Sequence, residues 1–332
     1  MNRQTLILTQ KDILKLVDLK AAIKAVEEAF GQYARGKTQM PAKVYIPLPQ
    51  YQGDFRAMPA FLERASGQGV CALKWVNVHP NNRKIGLPTV MGTLILSDPK
   101  TGFPLSIMDA TYLTSLRTAA AGAVAAKYLA RRDSKIVGLV GCGVQAHSQL
   151  EALRTLFNIR DVRVWGMKDR EIKDFVQQIQ SPHEKILGVS DVRTCVQNAD
   201  MVVTTTPSRR PLVQFQWLKK GVHINAIGAD APGKEELDPQ ILKHAKIVID
   251  DWEQASHSGE INLPLNKKVI FKKDIDATIG EIIIGKKKGR VDQREITVFD
   301  STGLAIQDVA VASQIYQFAI KKKIGHWISL IG

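Results

Sequence analysis

An apolar run, Ile136 to Val140, opens directly into Gly141-Cys142-Gly143-Val144-Gln145-Ala146, and helical spacing follows. A G-x-G-x-x-A turn between a strand and a helix constrains the fold more than any other stretch of this chain. The first glycine permits the tight turn, the second lets backbone approach a pyrophosphate, and the small last residue lets helix and strand pack closely. The helix start then offers unpaired N–H groups and the positive end of its dipole to phosphates. The segment predicts a dinucleotide site in a doubly wound α/β sheet, with Gly141, Gly143, Val144, Gln145 and Ala146 along the cofactor.

The alternation that such a sheet requires continues beyond the turn. Strand-like runs fall at 135–140, 161–165, 200–206, 221–228, 245–250 and 296–300, with helical or loop segments between them. At 332 residues the chain exceeds what one core supports, and its first third has a different pattern. Residues 10–35 read as a helix stopped by Gly36. Between 43 and 110 come KVYIPLP, FRAMPAFL, VCALKWVNV, TVMGTLILSD and PLSIMDA, separated by Pro, Gly and Asn clusters. They predict a mostly antiparallel sheet. An alanine-rich helix from Tyr112 to Ala130 connects the two parts. A last helix, roughly 304–323, carries Ala305, Val309, Ala312, Ile315, Tyr316 and Ala319 on one face, which suits docking on the first domain or on another subunit. The expected division is 1–117 plus 304–332 as a substrate and dimerisation domain, and 118–303 as a dinucleotide-binding Rossmann domain.

Several classes of function are disfavoured. No window approaches the roughly 18 apolar residues of a membrane span, and the start, MNRQTLILTQKD, has no apolar signal-peptide core. Cys71, Cys142 and Cys195 are far apart and form no C-x-x-C, which suits a reduced cytoplasmic interior rather than a disulfide frame or a metal site. The net charge of +14 is scattered, with short runs only at Lys286–Lys288 and Lys321–Lys323. No nucleic-acid-binding motif accompanies them, so the charge favours small anionic ligands instead.

Charged residues in apolar company are the candidates for chemistry. On a strand Lys74 shares its face with Ala72 and Val76, while Leu73 and Trp75 take the other. Burying an unpaired ammonium is costly, so Lys74 sits either at a sheet edge or in a functional cavity. In a cavity, desolvation draws its pKa towards neutrality, which suits proton transfer at a carbonyl or imine. Arg56, enclosed by Phe55, Ala57 and Met58, either clamps a substrate carboxylate or pairs structurally with Asp54 or Glu63. Arg117, beside Ala120, Ala121 and Val124, is aimed at an anion or caps its helix. Lys43, heading another strand, is a weaker cation of the same kind. Asp230 ends the stretch from Val222 at the carboxyl end of a late strand, where ligands bind. It either handles an amine or a proton there, or serves as an N-cap or Asx turn with Pro232-Gly233.

Small and polar residues at strand ends complete the cofactor list: Thr205, Thr206 and Pro207; Ile227, Gly228 and Ala229; and Ser301. The second strand normally ends in an acid that binds the adenosine ribose. Here Gly166 stands at that position, followed by Met167 and Lys168. Either Lys168 or Arg170 pairs with a 2′-phosphate that meets no carboxylate at Gly166, or Lys168 is a solvated loop lysine and Asp169 takes the acid's place; the cofactor expectation is NAD or NADP, with NADP favoured.

In order along the chain stand Gln39-Met40-Pro41, Arg56-Ala57-Met58-Pro59, Leu73-Lys74-Trp75-Val76-Asn77, Gly86-Leu87-Pro88-Thr89, Met108-Asp109-Ala110-Thr111, Ser115-Leu116-Arg117-Thr118, Gly141 to Ala146, Thr204 to Ser208, His223 to Asp230, Gly259-Glu260-Ile261-Asn262 and Asp300 to Ala305. By these segments the sequence resembles the ornithine cyclodeaminase/μ-crystallin family, most closely its archaeal alanine dehydrogenase branch. The resemblance implies a homodimer, with Arg56 on the substrate carboxylate, Lys74 as acid/base group and Asp230 handling the substrate amine. It also implies that Arg117, with Thr118 next to it, lines the site near nicotinamide and substrate, with Lys43 where many relatives have arginine. The implied reaction is reversible NAD(P)-dependent oxidative deamination of L-alanine to pyruvate and ammonia. Ornithine cyclodeaminase, ketimine reductase and a non-catalytic NADPH-binding protein are the alternatives.

Overall fold

Buried and exposed side chains alternate through the longest strands of the chain, and that alternation builds the first of two units. A computed structural model describes residues 4–63, 67 and 69–331. The chain divides into Met1–Arg117 with Leu304–Gly332, and Thr118–Gly303.

In the first unit the strands are β1 Thr5–Leu8, β2 Thr38–Gln39, β3 Val44–Leu48, β4 Gly53–Glu63, β5 Gly69–Val78, β6 Val90–Ser97 and β7 Pro104–Asp109. With a last strand at His326–Ile328 they form one sheet, ordered last strand–β1–β7–β6–β5–β4–β2, with β3 also paired to β4. Pairing is antiparallel apart from β1 with β7. Arg56, Met58, Ala60 and Leu62 of β4, with Val70, Ala72, Lys74 and Val76 of β5, are buried on one face. Helix α2 (Leu19–Ala34) and the terminal helix Ala305–Lys322 pack against this side. Residues 10–35 are not one helix: α1 covers Gln10–Leu16, Val17 is extended, and the Asp18 carboxylate caps α2 by accepting from the Ala21 N–H. A side-chain acceptor placed there competes with helix continuation.

In the second unit β8 Ile136–Val140, β9 Asp161–Trp165, β10 Lys185–Gly188, β11 Met201–Thr204, β13 His223–Ala226, β15 Ala245–Ile249, β16 Ile275–Thr278 and β17 Ile296–Asp300 form a sheet. Its order is β10-β9-β8-β11-β13-β17-β15-β16 and all its pairs are parallel. Two more strands, β12 Arg209–Val213 and β14 Glu235–Leu237, pair separately. Val137, Leu139, Val202, Val203, Ile224, Val298 and Phe299 are buried, as expected of a parallel sheet covered on both faces. The order reverses between β8 and β11, the kind of switch point beyond whose carboxyl ends doubly wound sheets bind ligands. Helix α3, Thr111–Leu129, contains the division between the units, and α4, Val144–Arg154, starts directly after Gly143. Among the described residues no helix is long and apolar enough to cross a membrane, and no group of three or more His, Cys, Asp or Glu could hold a metal ion.

Candidate active site

In the first unit two buried cations, Lys74 and Arg117, converge on one carboxylate. β5 lies between β4 and β6, which removes the sheet-edge placement of Lys74. The Lys74 side chain is 1% exposed, and its Nζ donates to Asp308 Oδ1 at 2.7 Å and to Thr114 Oγ1 at 3.4 Å. Arg117 Nε donates to the same Asp308 oxygen at 3.0 Å, and its Nη1 donates to Gln307 Oε1 at 3.0 Å. Asp308 is also 1% exposed, and its second oxygen, Oδ2, is buried without a hydrogen-bond partner. Burial and the Arg117 guanidinium bring the Lys74 pKa down to about 7, with Lys43 adding to the fall and Asp308 opposing it. The lysine therefore exchanges its proton in the range where a general acid/base group works best.

Arg56 is buried, and its Nε and Nη2 donate to the two Asp54 oxygens at 2.8 and 3.2 Å. The guanidinium also lies over the Tyr45 ring at 5.2 Å. The ion pair is with Asp54; Glu63 pairs instead with Lys37. Asp230 lies in the second unit, past the end of β13, ion-paired with Lys234.

The crevice of the second unit has the features of a dinucleotide cradle. Gly141 has φ 118°, and a Cβ there would fall 2.5 Å from Thr205 Oγ1, so only glycine fits this turn. A Cβ on Gly143, at the head of α4, would meet nothing within 4 Å. Three polar atoms here, Gln145 Oε1 in the first turn of α4 and Thr205 Oγ1 and Ser301 Oγ just past their strands, are buried and without partners. Buried polar atoms are normally satisfied, so open space beside the helix start and orphaned hydroxyls fit a bound pyrophosphate and ribose. Thr118 is held by α4, whose Gln149 donates to its carbonyl at 2.8 Å. Past β9, a Cβ on Gly166 would fall 2.5 Å from Cys142 Sγ. Met167 and Lys168 are exposed there, and Lys168 pairs with Glu171 at 3.3 Å.

The family description "Ornithine cyclodeaminase/mu-crystallin family" matches residues 3–323. The chain belongs to this family. It is 53% identical to an alanine dehydrogenase of Archaeoglobus fulgidus over 324 residues, 97% of each chain. Its structure matches an archaeal alanine dehydrogenase dimer with bound NAD at a TM-score of 0.94 and 53% identity, covering 99% of this chain and 100% of the other. It also matches a Thermococcus litoralis Δ1-pyrroline-2-carboxylate reductase in complex with NADH and L-proline, at a TM-score of 0.93 and 38% identity over 97% and 99% of the two chains.

Within this member of the family, several buried polar residues escape a reading of the sequence. Asp308, Gln307 and Thr114 are the partners of the two central cations. Glu236 accepts from the Thr206 N–H, the Thr206 hydroxyl and the Gly228 N–H at 2.6, 2.7 and 2.9 Å, tying together the loops after β11 and β13. Glu260 in turn accepts from the Glu236 and Leu237 N–H groups, and burial together with the Glu236 carboxylate raises its pKa well above the carboxylate range. One signal existed for Asp308. It falls three residues after Ala305 and four before Ala312 on the apolar stripe of the terminal helix, where a carboxylate requires a cation.

Proposed function

We infer that this chain is a nicotinamide-dependent alanine dehydrogenase, converting L-alanine to pyruvate and ammonia and running the reverse reaction. One observation carries the reading: Lys74 is fully enclosed and shares a single carboxylate oxygen, Asp308 Oδ1, with Arg117, and burial beside that guanidinium draws its pKa down to about 7. The 53% identity to the Archaeoglobus enzyme over nearly the whole chain supports the choice of substrate. A bound nicotinamide would supply the hydride acceptor for Cα, and the resulting substrate iminium would be hydrolysed by water to the keto acid. Arg56, oriented by Asp54 and the Tyr45 ring, binds the substrate carboxylate. Lys74 in its neutral form takes a proton from the attacking water, and its ammonium returns one to the departing amine. Asp230 handles the substrate ammonium, while Arg117 and Lys43 keep the site attractive to anions. Gly141, Gly143, Val144, Gln145 and Ala146 hold the pyrophosphate, and Thr205, Thr206, Pro207, Ile227, Gly228, Ala229 and Ser301 hold the ribose and nicotinamide portions. A cyclic imine carrying a carboxylate offers the same two handles, and the likeness to the pyrroline-carboxylate reductase supports it as a second substrate class.

The deciding experiment is a steady-state screen of alanine, ornithine, proline and pyruvate plus ammonia with both nicotinamides. Alanine-linked reduction of the cofactor is expected; its absence under every condition removes this reading. NADP should serve at least as well as NAD, because no carboxylate ends β9 and Lys168 stands next to the position a 2′-phosphate would take. A kcat/KM that favours NAD by tenfold or more would contradict that preference.

The reading includes a homodimer built on the first unit. The register places Val44, Ile46, Phe55, Leu73, Trp75 and Ile95 on the sheet face opposite Lys74. Most of them are exposed, and Trp75 is stacked on Phe55 at 5.1 Å. An apolar face of this kind marks an association surface. Trp75→Asp should shift the protein from dimer to monomer in sedimentation; an unchanged dimer would place the interface elsewhere. The free Cys71, Cys142 and Cys195 support a reducing, cytoplasmic setting.

A further inference from the structure

The buried carboxylate of the terminal helix has no part in the reaction described above, yet both central cations depend on it. Asp308 Oδ1 receives Lys74 Nζ at 2.7 Å and Arg117 Nε at 3.0 Å, so one oxygen serves two positive charges. We propose that Asp308 is the positioning residue of the acid/base site: by dividing one oxygen between Lys74 and Arg117, it fixes the lysine head and governs how readily that head gives up its proton. The inference rests on Lys74 being the acid/base group of the preceding reading.

Three observations support it. First, the arrangement differs from that of a structural carboxylate in the same chain. Asp250 accepts the Asp251 N–H on one oxygen and the Thr302 and Gly303 N–H groups on the other. Asp308 leaves Oδ2 buried and unpartnered. Second, the charge count is uneven. With Lys74 protonated, the group of Lys74, Arg117 and Asp308 has one net positive charge among nearly fully buried side chains; with Lys74 neutral, it has none. Arginine stays charged at any working pH, so the carboxylate is committed to Arg117 and only the lysine can relieve the excess. Third, the surroundings contribute little else. β4 and β6 place Met58 and Leu94 opposite Lys74, and neither is charged; the other cation on this face of β4, Arg56, has Asp54 as its own counter-ion. Helix α3 presents Thr114 and Arg117, the terminal helix presents Asp308, and Lys43 adds a further cation. Neutral Lys74 can still donate an N–H to Asp308, which directs its lone pair away from the carboxylate.

Asp308 and Arg117 act on the lysine in opposite senses, and that gives the test. Asp308→Asn keeps the shape and an acceptor but removes the negative charge; Arg117→Gln removes the competing cation. Lys74 is titrated in the full-length protein by NMR of the 15N-lysine-labelled chain, assigned against Lys74→Met. The pH profile of kcat/KM for alanine oxidation is recorded in parallel. The parent midpoint is expected near 7, with the rate rising as the lysine becomes neutral. In Asp308→Asn the midpoint should move to lower pH by about one unit or more, the usual effect of removing an adjacent opposite charge. In Arg117→Gln it should move to higher pH. Midpoints that stay in place while only kcat and Tm fall would make Asp308 a structural strut and overturn the proposal. If Asp308→Asn does not fold, a midpoint in Arg117→Gln that is unmoved or lowered overturns it equally. The NMR midpoints need no turnover, so failure of the alanine assay and failure of this proposal are separate results.

Discussion

Lys74→Met should oxidise alanine about 10²- to 10⁴-fold more slowly than the parent, the range associated with a positioned acid/base group, while it still folds and binds dinucleotide. Methionine fills a similar volume in the apolar layer formed by Ala72, Val76, Met58 and Leu94. The substitution removes one of two cations sharing Asp308 and leaves Arg117 as its partner, so no unpaired charge remains behind. Melting temperature should therefore hold or rise, because a desolvated ammonium is costly. The pH profile gives the sharper check. In the parent, kcat/KM for oxidation increases with pH through the lysine midpoint, because the group must be neutral to accept a proton. That limb should vanish in the variant. A kcat within tenfold of the parent, with the limb in place, would assign the proton transfer to another group.

Gly143→Val should lose dinucleotide by a factor of about 100 or more and remain as stable as the parent, whereas Gly141→Ala should lose both stability and binding. The two glycines differ in what surrounds them. At Gly143 the backbone is extended, with φ −95°, a conformation open to any residue, and a Cβ would enter open space at the head of α4. The side chain would enter the space proposed for the pyrophosphate. At Gly141 the φ of 118° and the nearby Thr205 hydroxyl leave no relaxed position for a side chain. Fluorescence titration with NADH and NADPH, beside thermal melting, separates the outcomes. Undiminished binding by Gly143→Val would move the cofactor away from this turn.

The parallel sheet was legible because each of its main strands is a short apolar run closed by glycine or polar residues, and the Gly141–Ala146 turn fixed its first crossover. The short strands β10, β12, β14 and β16 were not read. β10 is mostly exposed, so Lys185–Gly188 has no apolar periodicity to detect. The break at Val17–Asp18 was missed for a related reason: apolar spacing runs through it, and only the side-chain cap at Asp18 interrupts the helix. Lys74 stood out because a charge on a strand apolar on both faces violates the burial rule. Asp308 is marked only as a charge on the apolar stripe of its helix; that Lys74 is its partner is not legible, since the two are 234 positions apart and local pattern holds no record of such a pairing. For Arg56 the sequence offers both Asp54 and Glu63 as ion-pair partners, and the structure selects Asp54, two residues away on the same strand face.

The terminal helix has a bearing on biosynthesis. Its Asp308 counter-charge is translated long after the β5 lysine and the α3 arginine that it joins. Until Ala305–Lys322 has been made, Lys74 and Arg117 lack the carboxylate oxygen on which both converge, so the two segments acquire their shared counter-charge late in synthesis.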